Sequence, residues 1–350
     1  MANTGIIYHT DYLEHETGNH PENKKRLIVT MDFLEKKGVL NRPEIKLFSP
    51  EKAAIDTVAL NHSMEYIEYV RYVSERGGGM LDPDTVVSDK SFEVALRAVG
   101  GAITAAEKIR NGEVNNSFAL VRPPGHHATH GHGHGFCIFN NIAILSRYMI
   151  KNWGTKRILI VDFDAHHGNG TQDSFYDTPS VLYFGLQQWG IYPGSGWYQE
   201  IGEKEGKGYT VNVPLPWGTD DESYLFALRE LLYPVAGQYN PEFILVSAGF
   251  DSHYSDMLTS MNISSVGHGK IMETILDVAK QKCNGKVAVL LEGGYNLNAV
   301  PRSIFNVLSH MANLGEILED SSPKPDPKTR EKVNKLVSEI KKVLKPYWTF

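Results

Sequence analysis

The sequence predicts an α/β fold, a single domain in which a mostly parallel sheet is flanked by helices. Short β-rich runs recur along the 350 residues, each followed by a stretch with helical spacing of apolar residues. That alternation builds parallel sheets through crossover helices. Several runs, "ILIV", "FILV" and "VAVLL", are apolar almost throughout, as strands covered on both faces must be. Neither a repeat nor a linker long enough to divide the chain interrupts the pattern.

In chain order, "TGIIYHT" reads as the first strand, and helices are expected at 22–37, 62–76 and 89–110. "SFALVRPP" is a strand that ends in a proline turn, followed by a helix at 140–152. "RILIVDFD" and "SVLYFGL" are strands ahead of a helix at 220–238, and "EFILVSAGFD" is a strand ahead of one at 264–283. "VAVLLEGGY" precedes the helix at 299–314. After the Pro/Ser/Asp-rich break "EDSSPKPDPK", a final helix places Val333, Leu336, Ile340 and Val343 on one face. Residues 1–320 thus read as one domain and 321–350 as a helical extension docked on it.

Composition narrows the function. With 41% hydrophobic residues the chain can bury a large core. No run approaches the ~18–20 apolar residues of a membrane span, and "MANTGIIYHTDYLEHE" lacks the basic start and apolar run of a signal peptide, so the cytoplasm is the expected address. A net charge of -6 argues against a broad grip on nucleic acid. Cys137 and Cys283 are far apart and without a CxxC partner, so any metal must use His, Asp or Glu. Nothing here sets the oligomeric state, and a homo-oligomer stays open.

In open α/β sheets ligands bind beyond the carboxyl ends of the strands. Four such ends, "RPPGHHA", "DFDAHHGNGTQD", "SAGFDSH" and "LEGGYN", carry polar groups or glycines that a plain turn would not need. In an extended segment Asp164 and His166 point the same way and can share an ion, with Asp162 on the same side. Asp251 is the candidate third ligand. Such an oxygen and nitrogen set suits zinc, iron, cobalt or manganese; capping of the next helix is the alternative. His126 and His127 follow a rigid turn, and consecutive side chains diverge, so an acid and base role suits them better than joint ligation. Asp162 and Asn169 could orient them. Two structural histidines are the alternative. Tyr295, after two glycines, could donate to an oxyanion, or simply fill a crevice. Together these parts describe metal-assisted hydrolysis.

"HPENKKRL", "LDPDTVVS", "RPPGHHATHGHGHGFCIFNN", "DFDAHHGNGTQDSFY", "YPGSGWYQEIGEKEGKGYTVNVPLP", "SAGFDSHYSDML" and "LEGGYNL" resemble the zinc-dependent histone deacetylases and their acetylpolyamine amidohydrolase and acetoin-utilisation relatives. The resemblance covers residues 20 to about 300. It implies the arginase/deacetylase fold with about eight strands, and a catalytic domain that removes acetyl or related acyl groups from lysine side chains or similar amines. It makes Asp164, His166 and Asp251 the ligands of one zinc per chain, His127 the general base and acid, and His126 its electrostatic partner bonded to Asp162. Tyr295 would polarise the scissile carbonyl. Gly135, Phe136, Tyr192, Leu258, Gly293 and Gly294 match substrate-binding positions, and Arg26 matches a product-channel arginine. A potassium ion is implied beneath the zinc site, beside Asp162. Asn169 stands where many nuclear-type relatives carry aspartate, as in the class II branch; Gly185 replaces a serine that commonly faces the potassium. Leu258 replaces the glutamate of a polyamine-specialised branch, which argues against cationic polyamines. The resemblance also implies a substrate-backbone aspartate on an early loop, at Asp82 or Asp84.

Two rivals remain on sequence alone. An arginase-like binuclear manganese hydrolase would need further carboxylates at the strand ends, where His167, Asn169, Ser252 and His253 stand instead. A non-catalytic acyl-lysine or metal-binding protein using the histidine-rich loop His130, His132 and His134 would have no use for Tyr295 and His127. That loop reads as solvated.

Overall fold

The computed structural model describes residues 4–350. The chain opens with β1 (Thr4–Ile7), α1 (Lys25–Lys36), β2 (Ile45–Phe48), α2 (Ile55–Val58) and α3 (Met64–Glu75). A hairpin, β3 (Gly78–Asp82) and β4 (Thr85–Ser88), leads to α4 (Ser91–Arg110), β5 (Asn116–Ala119) and α5 (Asn141–Trp153). Then come β6 (Ile158–Asp162), α6 (Asn169–Phe175), β7 (Val181–Gln188), β8 (Thr210–Leu215) and α7 (Asp221–Tyr239). The chain closes with β9 (Phe243–Ala248), α8 (Ser265–Lys282), β10 (Val287–Leu291), α9 (Ala299–Ala312) and α10 (Pro327–Leu344). All seven long helices expected before the Pro/Ser/Asp-rich break form, and their starts are chemically marked. Ser63, Asn140, Asp220 and Ser264 each accept a hydrogen bond from a first-turn amide, which satisfies a donor the helix cannot.

The main sheet holds eight strands, and two compact units divide the chain. One comprises the residues up to Thr155 with Asn169–Ser174 and Ala288–Glu292. In it the strand row runs β2-β1-β5-β10, and β1 pairs in parallel with both β2 and β5. Its core joins Val58, Ile67, Val70, Phe92, Val99 and Phe139, as α3 and α4 turn apolar stripes inward. The other unit comprises Lys156–Gly168, Phe175–Val287 and Gly293–Phe350, with the parallel row β9-β6-β7-β8. Every residue of β6, β7, β8 and β9 is buried. Within this unit α10 lies against α7, where it buries Val333, Val337, Ile340 and Leu344, and Trp348 Nε1 donates to Gly208 O at 2.8 Å. No described helix is long and apolar enough to cross a membrane.

Sequence periodicity missed β2, β3, β4 and β8 for physical reasons. Strand β2 has two exposed residues of four, and β8 carries Asn212 and Pro214, a proline that an edge strand tolerates. The hairpin begins at Gly78 and Gly79 and turns at Pro83, residues that read as loop.

Candidate active site and metal centre

In the second unit the parallel register pairs Asp162 with Ser247, and just past the end of β6 Phe163 N donates to Ser247 O at 3.0 Å. This contact carries the two following loops side by side. Ala165 N donates to Asp251 Oδ1 at 3.0 Å, and His166 N donates to Asp164 Oδ1 at 2.8 Å. His166 Nδ1 stands 2.8 Å from Asp251 Oδ2 and 3.2 Å from Asp164 Oδ1. One ligand atom from each of these three residues lies within 4.8 Å of the others. Among the described residues, this group contains no fourth donor.

The group fits a cation. Asp164 and Asp251 are buried, at 1% and 0% exposure, and two close carboxylates cannot both stay ionised there without positive charge. Burial and then the Asp164 charge raise the Asp251 carboxyl to about 7. Burial opposes charge on His166, but Asp251 and Asp164 outweigh it and push the imidazole up to about 10. The glycine at 293 keeps the space clear: a Cβ there would lie 2.6 Å from both Asp164 Oδ2 and Asp251 Oδ2, and its amide donates to Asp164 Oδ2 at 2.8 Å. Gly294 follows with φ +110, in the region that favours glycine.

Tyr295 comes next, 7% exposed. Its backbone is fixed by Asp256, whose Oδ2 accepts from Tyr295 N at 2.7 Å and Asn296 N at 3.1 Å, and whose Oδ1 accepts from Leu258 N at 3.0 Å. Asp256 is therefore a positioning residue that sequence reading missed. The signal was a buried acid two residues before Leu258, indistinguishable by type from a surface turn. Tyr192 is 45% exposed, and Leu258 is half-buried. Asp162, also buried, accepts from Asp164 N at 3.2 Å and lies 3.4 Å from the Tyr183 hydroxyl. A Cβ on Gly185 would lie 2.7 Å from that hydroxyl, so the Tyr183 phenol takes the room that a serine at 185 would need.

In the first unit His126 and His127 are both nearly buried, with ring centroids 4.1 Å apart. Glu292, at the end of β10, orders their backbone: its Oε2 accepts from Gly125 N at 2.7 Å and His126 N at 3.1 Å. His127 Nδ1 is 2.8 Å from Asn169 Oδ1, so the structure brings together the two residues paired on sequence grounds. Arg26 reaches Glu292 O through Nη2 at 2.5 Å and meets Glu22 at 3.2 Å. Glu22 also receives Arg122 Nε at 2.5 Å and Nη2 at 2.9 Å. Burial opposes charge on Glu22, but Arg122 and Arg26 hold its carboxyl down at about 2. Such a network costs most when half of it is removed. Arg122→Met is expected to lower unfolding stability by about 3–5 kcal/mol, read by urea denaturation; a loss under 1 kcal/mol would mean the network contributes nothing.

Gly135 (φ +58) and Phe136 (φ +70) hold left-handed backbone. Phe136 stays there because its amide donates to Thr85 Oγ1 at 3.1 Å and the His20 ring stands edge-on, 4.4 Å away. His20 Nε2 also meets Asp84 Oδ1 at 3.1 Å, whereas Asp82 Oδ1 accepts from Asp84 N at 2.9 Å. Of the two aspartates, Asp84 is the exposed one beside Phe136 and Asp82 the one that shapes its turn. The loop expected to be solvated is only partly so: His130 Nδ1 donates to Asn61 O at 2.7 Å, and the His134 ring stacks 6.3 Å from that of His127, while His132 is exposed.

A mostly parallel eight-stranded sheet bearing an Asp-x-His pair with a second aspartate defines an α/β protein with a candidate mononuclear metal centre. The model of the histone deacetylase domain matches residues 20–311. A probable deacetylase of Archaeoglobus fulgidus is 40% identical, over 99% of this chain and 98% of that protein. The chloroplastic histone deacetylase 10 of Oryza sativa subsp. japonica is 35% identical, over 90% of this chain and 74% of that protein. The crystal structure of the HDA15 HD domain matches with a TM-score of 0.89 at 31% identity, covering 99% of this chain and 96% of that one. The chain belongs to the histone deacetylase family. Family membership supports a deacetylase function, that of a hydrolase acting on amides.

Proposed function

We propose that the chain is a zinc-dependent deacetylase that removes acetyl or related acyl groups from lysine side chains in protein or peptide, or from similar small amines. The observation that carries this reading is the convergence of Asp164, His166 and Asp251, two buried carboxylates and one imidazole, in a chain of this family. When bound, zinc would polarise the acyl carbonyl and lower the pKa of a water to near neutrality. His127, oriented by Asn169 at 2.8 Å, takes the proton of the attacking water and returns it to the leaving amine. His126, with Asp162 assigned as its partner, tunes the charge beside it. Tyr295 donates its phenol to the developing oxyanion. Gly135, Phe136, Tyr192, Leu258, Gly293 and Gly294 are assigned as substrate-binding positions, and Arg26 as the product-channel arginine. A potassium ion beside Asp162 belongs to the same reading, with the Tyr183 hydroxyl standing in for the missing serine oxygen. The cytoplasm is the proposed location.

Metal content of purified protein, with chelator-sensitive turnover of acetyl-lysine peptide, tests the proposal. Close to one zinc per chain and loss of turnover on chelation are expected; two manganese ions per chain, or turnover indifferent to chelator, would refute it. Tyr295→Phe is expected to keep its metal and lose about 10²–10³ in kcat, the cost of one oxyanion donor. Unchanged kcat in a metal-loaded Phe variant would remove Tyr295 from the chemistry.

A further inference from the structure

A cavity of about 640 Å³ opens beside the histidine-rich loop, walled by one face of α3 and by Leu81, Gly131, His132 and Gly133. Its volume falls within the ~300–1,000 Å³ of sites that hold small ligands, and exceeds what one side chain needs. Glu65, Glu68, Tyr69 and Tyr72 stand at i, i+3, i+4 and i+7 and so share the helix face that lines it. Among the described residues, no Lys or Arg lines the cavity. Glu68 is paired with Arg71, and the guanidinium of Arg76 already lies 5.4 Å from the centre of the Tyr72 ring, which shows the ring accepting a cation. Glu65 is exposed and makes no ion pair among the described residues.

The cavity is tied to the active-site loop. Ser63 N donates to His130 O at 3.0 Å, and the Tyr66 hydroxyl donates to Ile138 O at 2.7 Å. A Cβ on Gly133 would lie 2.3 Å from the Tyr66 hydroxyl and 2.8 Å from Leu81 Cδ1, so loop and helix are in close contact. One residue further, the His134 ring stacks on His127, and Gly135 and Phe136 follow. A polypeptide whose acyl-lysine reaches His127 would therefore pass the cavity with its neighbouring residues.

We propose that this cavity is a subsite for the flanking segment of a polypeptide substrate, taking a lysine or arginine a few residues from the acylated one. The aliphatic stem would lie on Tyr66 and Leu81, and the charged head would sit between Glu65 and the face of Tyr69. The inference rests on the deacetylase reading and adds a preference to it.

The test compares kcat/KM on two acetyl-lysine peptides of equal length, one with flanking Lys and Arg, the other with Gln at those positions. Wild type should favour the basic peptide about 3- to 10-fold, as one exposed charge contact and one cation–π contact allow. Glu65→Lys and Tyr69→Ala should each bring the ratio toward one, mainly through KM. Equal rates on both peptides in wild type, or an undiminished ratio in both variants, overturns the subsite. Spermidine that competes with the basic peptide at equal concentration would overturn the polypeptide assignment in favour of a free polyamine. If no peptide is turned over, the deacetylase reading fails separately. Fluorescence anisotropy of the labelled basic peptide on wild type and Glu65→Lys then decides the subsite, and equal binding refutes it.

Discussion

Asp251→Ala is expected to release the bound metal and to lower kcat/KM on an acetyl-lysine peptide by about 10³-fold or more. A catalytic cation supplies several kcal/mol of transition-state stabilisation, and each 1.36 kcal/mol is a factor of ten in rate. Asp251 is 0% exposed, and a neutral water in the gap left by alanine would not supply its ligand charge. Without it, Asp164 and His166 are the two donors left in the group. The alanine also leaves Ala165 N without the acceptor it has at 3.0 Å, a stability cost of about 1–3 kcal/mol. Asp251→Asn separates these effects. The amide oxygen keeps the bond to Ala165 and the side-chain volume while the ligand charge is lost, so the Asn variant should fold like wild type and still bind metal poorly. Metal analysis beside a thermal melt gives both readouts. An Asn variant with one metal per chain and wild-type turnover would show that these three residues are not the metal centre.

The contrast between what sequence showed and what it hid is sharpest at this site. Asp164 and His166 were legible because a two-residue spacing in an extended segment fixes their common side. Asp251 was legible because it follows directly on an apolar run. Asp256, Glu292 and Glu22 were hidden for the opposite reason, since their work is to accept backbone amides or guanidinium groups from distant parts of the chain. Glu292 serves Gly125, 167 positions away, and Glu22 serves Arg122, 100 positions away. No local period records such a partner. Arg122 itself read as part of a rigid "RPPG" turn; its guanidinium, fully buried between Glu22 and Tyr12 O, is the reason the turn is held. The buried parallel strands were plain in the sequence because burial on both faces leaves a continuous apolar run. The edge strands and the β3–β4 hairpin lacked that run.

Lowering the pH from 7 to 5 should destabilise the fold by about 6 kcal/mol, through three histidines buried in the neutral form. Each is at most 1% exposed, so a second proton would have no water to solvate its charge. His15 Nδ1 lies 2.6 Å from Ser91 Oγ, His62 Nε2 accepts from Asn140 N at 2.8 Å, and His268 sits between Ser252 Oγ at 2.8 Å and Ser303 Oγ at 3.1 Å. Burial, helped by Arg122, lowers His15 to about 3. Burial lowers His62 to about 4 despite backbone contacts that oppose it, and burial with His253 lowers His268 to about 3. The sign follows from which state binds the proton. The unfolded chain takes it up as pH falls through about 6.5, the folded chain only near 3–4, so stability falls with pH across that window. Between pH 7 and 5 each group contributes about 2 kcal/mol to the loss. Glu22 adds nothing in that interval, because a carboxylate held at about 2 loses its advantage only below about 4.5. A loss of this size rivals the whole stability of a typical domain, about 5–15 kcal/mol, so a steep fall in Tm is expected. Scanning metal-loaded and chelated protein side by side separates the histidines from metal release. His268→Gln should flatten the slope of stability against pH by about one third. A Tm that stays level from pH 7 to 5, or a Gln variant with an unchanged slope, would show that these histidines do not set the acid limit.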